Sequence, residues 1–191
     1  MPVPFMKRTF IAIHITPGQQ IINLLDDSRN LLQKEKIKWV HPGNIHITLK
    51  FLGETAEENI PLIIKEIKAV LSDCNSFLLR FRGTGVFRNI HDPRVFWIGI
   101  EEDKNLYAIR DKLEVVMEKL GFKREEKSFS PHLTLARIKY IRNKNLLGDL
   151  VTRYKDKDFL KMQVKEIIYY ESILKPEGPE YIELAVIPLK D

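Results

Sequence analysis

The sequence predicts an α+β fold made of two packed lobes within one domain, residues 1–191. Three observations lead to this reading. Segments with strand and helix hydrophobic periods alternate along the chain. The pattern restarts near residue 94, and the two halves carry the same polar motif at a constant offset. No linker-like stretch separates them, so two lobes sharing a core fit better than two tethered domains.

The elements follow in order. Arg8–Thr16 places Ile11, Ile13 and Ile15 on one face of a strand. Thr16 and Pro17 suit the N-cap and first turn of a helix whose apolar stripe is Ile21, Leu24, Leu25, Leu31 and Leu32. His41–Glu54 reads as a turn followed by a strand. Thr55 to Glu58 has the form of a capping box before a helix carrying Ile60, Ile63, Ile64, Ile67, Val70 and Leu71. Ser76–Phe87 reads as a strand ending at glycines. The second half repeats the scheme with a strand at Arg94–Ile100. A helix capped by Asp103 follows, with Leu106, Leu113, Val116, Met117 and Leu120 inward and Gly121 as its C′ residue. Ser130–Ile138 is the next strand, Leu146, Leu147, Leu150 and Tyr154 mark a short helix, and Lys161–Leu174 and Tyr181–Leu189 read as the final strands.

The halves, approximately 8–87 and 94–174 with a C-terminal strand at 181–189, are in register. Arg8 precedes His46 by 46 − 8 = 38 residues, and Arg94 precedes His132 by 132 − 94 = 38. An offset of 86 superposes Arg8-Thr-Phe on Arg94-Val-Phe, His46-x-Thr48-Leu49 on His132-x-Thr134-Leu135, and Ile60 on Leu146.

Composition limits the class. At 191 residues and 44% hydrophobic content the chain can bury a core without staples. Its single cysteine, Cys74, rules out an internal disulfide and reads as structural. The N-terminus lacks the apolar region of a signal peptide, and no apolar run approaches a membrane span, so a cytoplasmic protein that engages no membrane is expected. A net charge of +5 tilts the choice of partner toward anions, though weakly.

The paired motifs carry the chemistry. Residues i and i+2 of a strand share a face, so His46 lies beside Thr48, with Ile47, Leu49 and Phe51 on the other face, and His132 beside Thr134, backed by Leu133 and Leu135. Two lobes related by an approximate two-fold axis bring the pairs together across a cleft. That arrangement suits phosphodiester hydrolysis: one imidazole takes a proton from water, the other gives one to the departing oxygen, and two hydroxyls hold the non-bridging oxygens. The scheme requires no metal or other cofactor, and no spacing among His41, His46, His91 and His132 matches a metal signature. Spacing alone leaves donor and acceptor interchangeable.

From Arg8 to Leu189 the chain resembles the two-histidine phosphoesterases, specifically the RNA 2′,3′-cyclic phosphodiesterases historically called 2′-5′ RNA ligases. The resemblance rests on Asn44–Glu54, Arg94–Ile100, Gly121–Ile138 and Glu171–Tyr181. It implies two pseudo-symmetric, mostly antiparallel sheets with outer helices around a central cleft. It also implies metal-free hydrolysis of an RNA-terminal 2′,3′-cyclic phosphate to a 2′-phosphate, on RNA ends such as tRNA fragments, with 2′-5′ ligation as a further activity. By position, His46 is then the proton donor and His132 the acceptor, while Thr48, Thr134 and Arg137 bind phosphate. Strict alternation puts Arg137 on the face of Leu133 and Leu135, so reaching the cleft requires a strand end, a bulge or a long reach. Its repeat partner Phe51 either stacks on a base or fills the core, the core being the expectation, and Phe96 and Trp97 are expected in the core. His14 and His91 read as structural and the protein as a monomer; Lys34, Lys36, Lys38, Lys123, Arg124 and Lys127 either line an RNA path or, as the default for such charges, are solvated surface. Two alternatives remain: a phosphodiesterase for small cyclic nucleotides or an ADP-ribose cyclic phosphate, and a non-catalytic protein that binds RNA ends.

Overall fold

A computed structural model describes residues 5–191. In it, nine strands form two antiparallel sheets: β1 (Met6–His14), β2 (Lys36–Trp39), β3 (His46–Ala56), β4 (Phe77–Phe87), β5 (Val95–Ile100), β6 (His132–Tyr140), β7 (Asp158–Val164), β8 (Glu166–Leu174) and β9 (Pro179–Pro188). Four helices accompany them: α1 (Gln19–Leu31), α2 (Ile60–Leu71), α3 (Lys104–Lys119) and α4 (Lys144–Arg153). The first sheet has the order β3-β1-β8-β9 and the second β2-β6-β5-β4-β7. Each half of the chain therefore contributes to both sheets. β4, from the first half, pairs with β5 in the second sheet, and β8, from the second half, pairs with β1 in the first.

The helices cover one face of this framework. Ile11 and Ile13 of β1 and Ile47 and Leu49 of β3 join Leu24 and Leu25 of α1 and Ile63 and Ile67 of α2. The same continuous core holds Ile98 of β5, Leu133 and Leu135 of β6, Leu106 and Leu113 of α3, and Leu147 of α4. Burial of these side chains at about 25 cal/mol per Å² of apolar surface is what fixes the strand registers. On the opposite face of the first sheet, Phe10, Ala12, Ile168 and Tyr170 form a separate small cluster with Tyr181 against it.

Helix ends follow local chemistry in part. The Asp103 carboxylate accepts from the backbone N–H of Asn105 and Leu106, at 2.9 and 3.0 Å, and starts α3 as expected. Gly121 (φ +90) ends it: its N–H bonds to the Glu118 carbonyl and that of Phe122 to the Met117 carbonyl, a Schellman closure. Two expected starts differ. α1 begins at Gln19 after Gly18, not at Thr16-Pro17, with no side-chain cap. Thr55 caps nothing, because β3 continues through it. Its hydroxyl is buried 2.8 Å from that of Thr9 on β1, and α2 begins at Ile60 after a 3-10 turn. That interstrand hydroxyl pair, extended by Tyr169 Oη at 3.1 Å from Thr9, fixes Thr55 in the sheet. The expected strand Lys161–Leu174 is two strands, which part at Lys165 and enter different sheets. β2 was not expected at all: its Lys-Ile-Lys-Trp sequence pairs with β6 at the edge of the second sheet.

Candidate active site

His46 and His132 open their strands in equivalent positions. His46 Nδ1 lies 2.7 Å from the carbonyl of Asn44, and His132 Nδ1 lies 2.8 Å from that of Ser130. A carbonyl only accepts, so Nδ1 carries the proton in both rings, and each neutral imidazole presents the lone pair of Nε2. Each ring is braced by an aromatic edge. Tyr181 stands at 88° to His46 with centroids 5.2 Å apart, and Phe87 stands at 89° to His132 at 4.6 Å. Phe10 adds a tilted contact to His46 at 5.1 Å. The Asn44 side chain donates to the Pro179 carbonyl at 2.7 Å, which ties the loop that orients His46 to the start of the strand bearing Tyr181.

The two sheets bring the candidate residues together. β3 of one packs against β6 of the other. Burial pushes the pKa of both histidines below the ordinary value, with the bonds to Asn44 and Ser130 opposing it in part. The charge on Arg137 pushes both further down, and charge on His132 and on His14 adds to the effect at His46. One guanidinium thus acts on both rings.

A pair of β-bulges explains how Arg137 faces them. In the β5–β6 ladder Phe96 opposes Ala136 and Trp97 opposes Thr134, so Leu135 is the extra residue. In the β1–β3 ladder Ile11 opposes Lys50 and Ala12 opposes Thr48, so Leu49 is extra. The two bulged leucines are again 135 − 49 = 86 residues apart, so the irregularity belongs to the repeat. Beyond each bulge the side chains change faces. Arg137 then opposes Val95 on β5, and alternation puts Val95 and Trp97 on the face of Thr134 and His132. Arg137 is exposed there, whereas the preceding Ala136 is buried. The bulge supplies what strict alternation denied.

Its counterpart Phe51 corrects an expectation. Phe51 is 49% exposed rather than in the core, and it opposes Phe10 on the face of Thr48 and His46. Lys50 takes the inward place. It is 1% exposed and its ammonium lies 2.9 Å from the carboxylate of Glu114, which is fully buried on α3. Lys50 also donates to the Lys123 carbonyl, and Arg110 approaches Glu114 from the preceding turn of α3 at 3.3 Å.

Several other neighbours of the site escaped the sequence reading. His14 directly opposes His46 on β1 and is no remote structural residue; its equivalent in the second half is Ile100. Lys38 opposes Arg137 across β2 and β6, which sets two cations side by side on the face of His132. Trp97 is half-buried on that face, not in the core, while Phe96 is buried as expected. Tyr181 and Phe87 reach the histidines from strands remote in sequence, and only Tyr181 lies in a segment that the resemblance singled out. His91 is exposed in the turn before β5. Among the described residues, no three His, Cys, Asp or Glu side chains gather as a metal-holding group, and no helix is long and apolar enough to cross a membrane.

Comparison with known proteins agrees with this architecture. The LigT-like phosphoesterase family model matches twice in succession, over residues 13–97 and 98–181. An RNA 2′,3′-cyclic phosphodiesterase of Methanocaldococcus jannaschii is 37% identical over 174 residues, covering 91% of this chain and 96% of that protein. One from Archaeoglobus fulgidus is 39% identical over 150 residues, covering 78% and 82%. Among solved structures, TT0787 of Thermus thermophilus superposes with a TM-score of 0.78 at 28% identity, covering 96% of this chain and 98% of that one. Escherichia coli LigT complexed with 3′-AMP superposes with a TM-score of 0.80 at 22% identity, over 98% and 100%. With the family model matching both halves and curated relatives spanning nearly the whole chain, the protein belongs to the LigT-like phosphoesterases.

Proposed function

We propose that this protein hydrolyses the 2′,3′-cyclic phosphate at an RNA end to a 2′-phosphate, without a metal, using His46 and His132 as acid and base. The observation that carries the reading is the mirrored pair of imidazoles, each locked by a carbonyl two residues upstream so that Nε2 is the reactive nitrogen. The names of the relatives support the substrate class.

In this mechanism His132 Nε2 takes a proton from water as the water oxygen bonds to phosphorus. The bond from phosphorus to the 3′ oxygen breaks on the opposite side, and His46 Nε2, protonated, gives its proton to that oxygen. Thr48, Thr134 and Arg137 donate to the non-bridging oxygens, Arg137 with the planar fork that suits them. An RNA 5′-hydroxyl in place of water turns the same proton transfers into formation of a 2′–5′ joint. Burial and the charge on Arg137 lower the pKa of both rings in the free protein; an arriving phosphate anion acts in the opposite direction, so substrate itself promotes charging of the donor.

The test is incubation in chelator with an oligonucleotide ending in a 2′,3′-cyclic phosphate, with the product identified. Wild type is expected to make the 2′-phosphate. His46→Ala and His132→Ala are each expected to lose about 10²–10⁴-fold in rate. Turnover that survives both substitutions, or none by wild type, overturns the mechanism.

A further inference from the structure

Two loops orient the imidazoles, and they are anchored in different ways. The carbonyl that fixes His46 belongs to Asn44, whose side chain ties its loop to the Pro179 carbonyl. The repeat places Ser130 at the matching position, 130 − 44 = 86 residues on, and its carbonyl fixes His132. A serine has no amide to span such a gap, so the segment 121–131 between α3 and β6 needs another anchor. Pro131 restricts Ser130 to extended backbone. The direction of the Ser130 carbonyl therefore follows from where its neighbour Phe129 is held.

A buried carboxylate on α3 supplies that anchor. Oε2 of Glu114 accepts from the Lys50 ammonium at 2.9 Å and from the Glu125 N–H at 3.4 Å, while Lys50 also donates to the Lys123 carbonyl. Oε1 has no hydrogen-bond partner among the described residues and faces the Arg110 guanidinium at 3.3 Å. That guanidinium lies 5.5 Å from the centre of the Phe129 ring, within cation–π range. Tyr107 stands at 81° to the same ring with centroids 5.5 Å apart. Phe129 is thus clamped to α3 one residue before Ser130. At its other end the network reaches the first motif, because Lys50 follows His46 by four residues on β3. The second half has no equivalent: at the offset of 86, Lys50 answers to buried Ala136. A buried ion pair is weak as a source of stability but well suited to specifying a single geometry.

Resting on the acid–base reading above, we propose that Glu114, with Lys50 and Arg110, is a positioning device for His132. It holds the segment 121–131 against α3, so that the Ser130 carbonyl keeps the Nδ1–H bound and Nε2 free to react. Through Lys50 it sets that ring relative to His46 on the other sheet. Proton transfer on opposite sides of one phosphorus requires such placement to within about 0.5 Å.

The test is ¹⁵N NMR of the histidine side chains in the free protein, with kcat and KM on a cyclic-phosphate oligonucleotide alongside. Phe129→Ala cuts the last link and spares the Lys50–Glu114 pair, and Phe129→Tyr keeps the ring. The double variant Lys50→Met, Glu114→Leu removes the pair without leaving either charge buried alone. In Phe129→Ala and in the double variant, His132 is expected to lose its single Nδ1–H tautomer. It should also titrate at lower pH, since the bond to Ser130 holds its pKa up, while His46 keeps its wild-type spectrum. The kcat should fall about 10- to 100-fold with KM within about twofold, and Phe129→Tyr should restore both readouts. An unchanged His132 spectrum in the folded variants overturns the proposal, and so does an equal change at both histidines, which is general loosening. The spectra need no substrate, so they decide this proposal even if wild type proves inert toward cyclic phosphates, the outcome that removes the hydrolysis reading alone.

Discussion

Arg137 offers a demanding test of the site, because its place there depends on a single extra residue in β6. Were the strand regular, Arg137 would share a face with Leu133 and Leu135; the bulge at Leu135 sets it against Val95 on the face of both histidines. Two consequences follow from Arg137→Gln. Loss of charged hydrogen bonds to a phosphate oxygen costs about 1.5–3 kcal/mol, which is roughly 10- to 150-fold in kcat/KM. The second consequence is electrostatic. Arg137 depresses the pKa of His46 and of His132, so its removal raises both. In the proposed mechanism the active free enzyme holds one ring neutral and one charged, so the bell of kcat/KM against pH is expected to move to higher pH. Arg137→Lys keeps the charge and loses the fork. It should lower the rate while leaving the bell nearly in place. Steady-state rates over pH 5–8.5 on a cyclic-phosphate oligonucleotide read both effects. A glutamine variant with wild-type kcat/KM and an unmoved profile refutes the placement of Arg137, and a profile moved to lower pH refutes the electrostatics.

The same histidines make stability depend on pH. Their folded-state values lie below the ordinary one, chiefly through burial, so the unfolded chain binds more protons as pH falls through the ordinary histidine range. Stability is full above that range and lost below it. The fall in Tm from pH 7.5 to 5.5 should be smaller in a His46→Gln, His132→Gln double variant than in wild type, and an equal fall counts against burial as the cause. Lys50→Met leaves the Glu114 carboxylate buried without its ammonium and should cost about 3–5 kcal/mol in urea unfolding; adding Glu114→Leu should recover much of it, and a single variant of wild-type stability contradicts the burial. Gly85 lies under the Trp97 ring, where an added Cβ would sit 2.4 Å from ring carbons. Gly85→Ala should therefore destabilise by about 1–3 kcal/mol and shift tryptophan fluorescence, with an unchanged spectrum as the contrary result.

How far the site could be read in advance depends on where strand alternation holds. His46 and Thr48, like His132 and Thr134, precede their bulges, so the period of two assigns them to one face correctly. Phe51 and Arg137 follow the bulges, and nothing local announces these: Leu49-Lys50 and Leu135-Ala136 have no glycine or turn residue. The constraint lies in Glu114, 64 residues from Lys50, which draws the lysine inward. His14 was passed over because the repeat gives it no counterpart, although β-pairing alone sets it against His46. β2 is four residues with two lysines and becomes a strand only through its partner β6. The single expected strand over 161–174 hides a change of sheet at Lys165, a decision made by distant partners and not by local propensity.

The exchange of β4 and β8 between the two sheets has a consequence for how the chain can be made. Thr9 waits for Glu171, and Phe10 for Tyr170, across most of the polypeptide. The first half emerging from a ribosome therefore holds β1 with one edge unpaired and β4 without β5 or β7. Neither repeat completes its sheets alone, and a product truncated after Phe87 would display open strand edges that invite association with other chains. Such long-range pairing predicts slow, late-committing folding compared with helical proteins of this size. It also means that the ancestral half-length chain, if the repeat arose by duplication, could have completed its sheets only by trading strands with a second copy of itself.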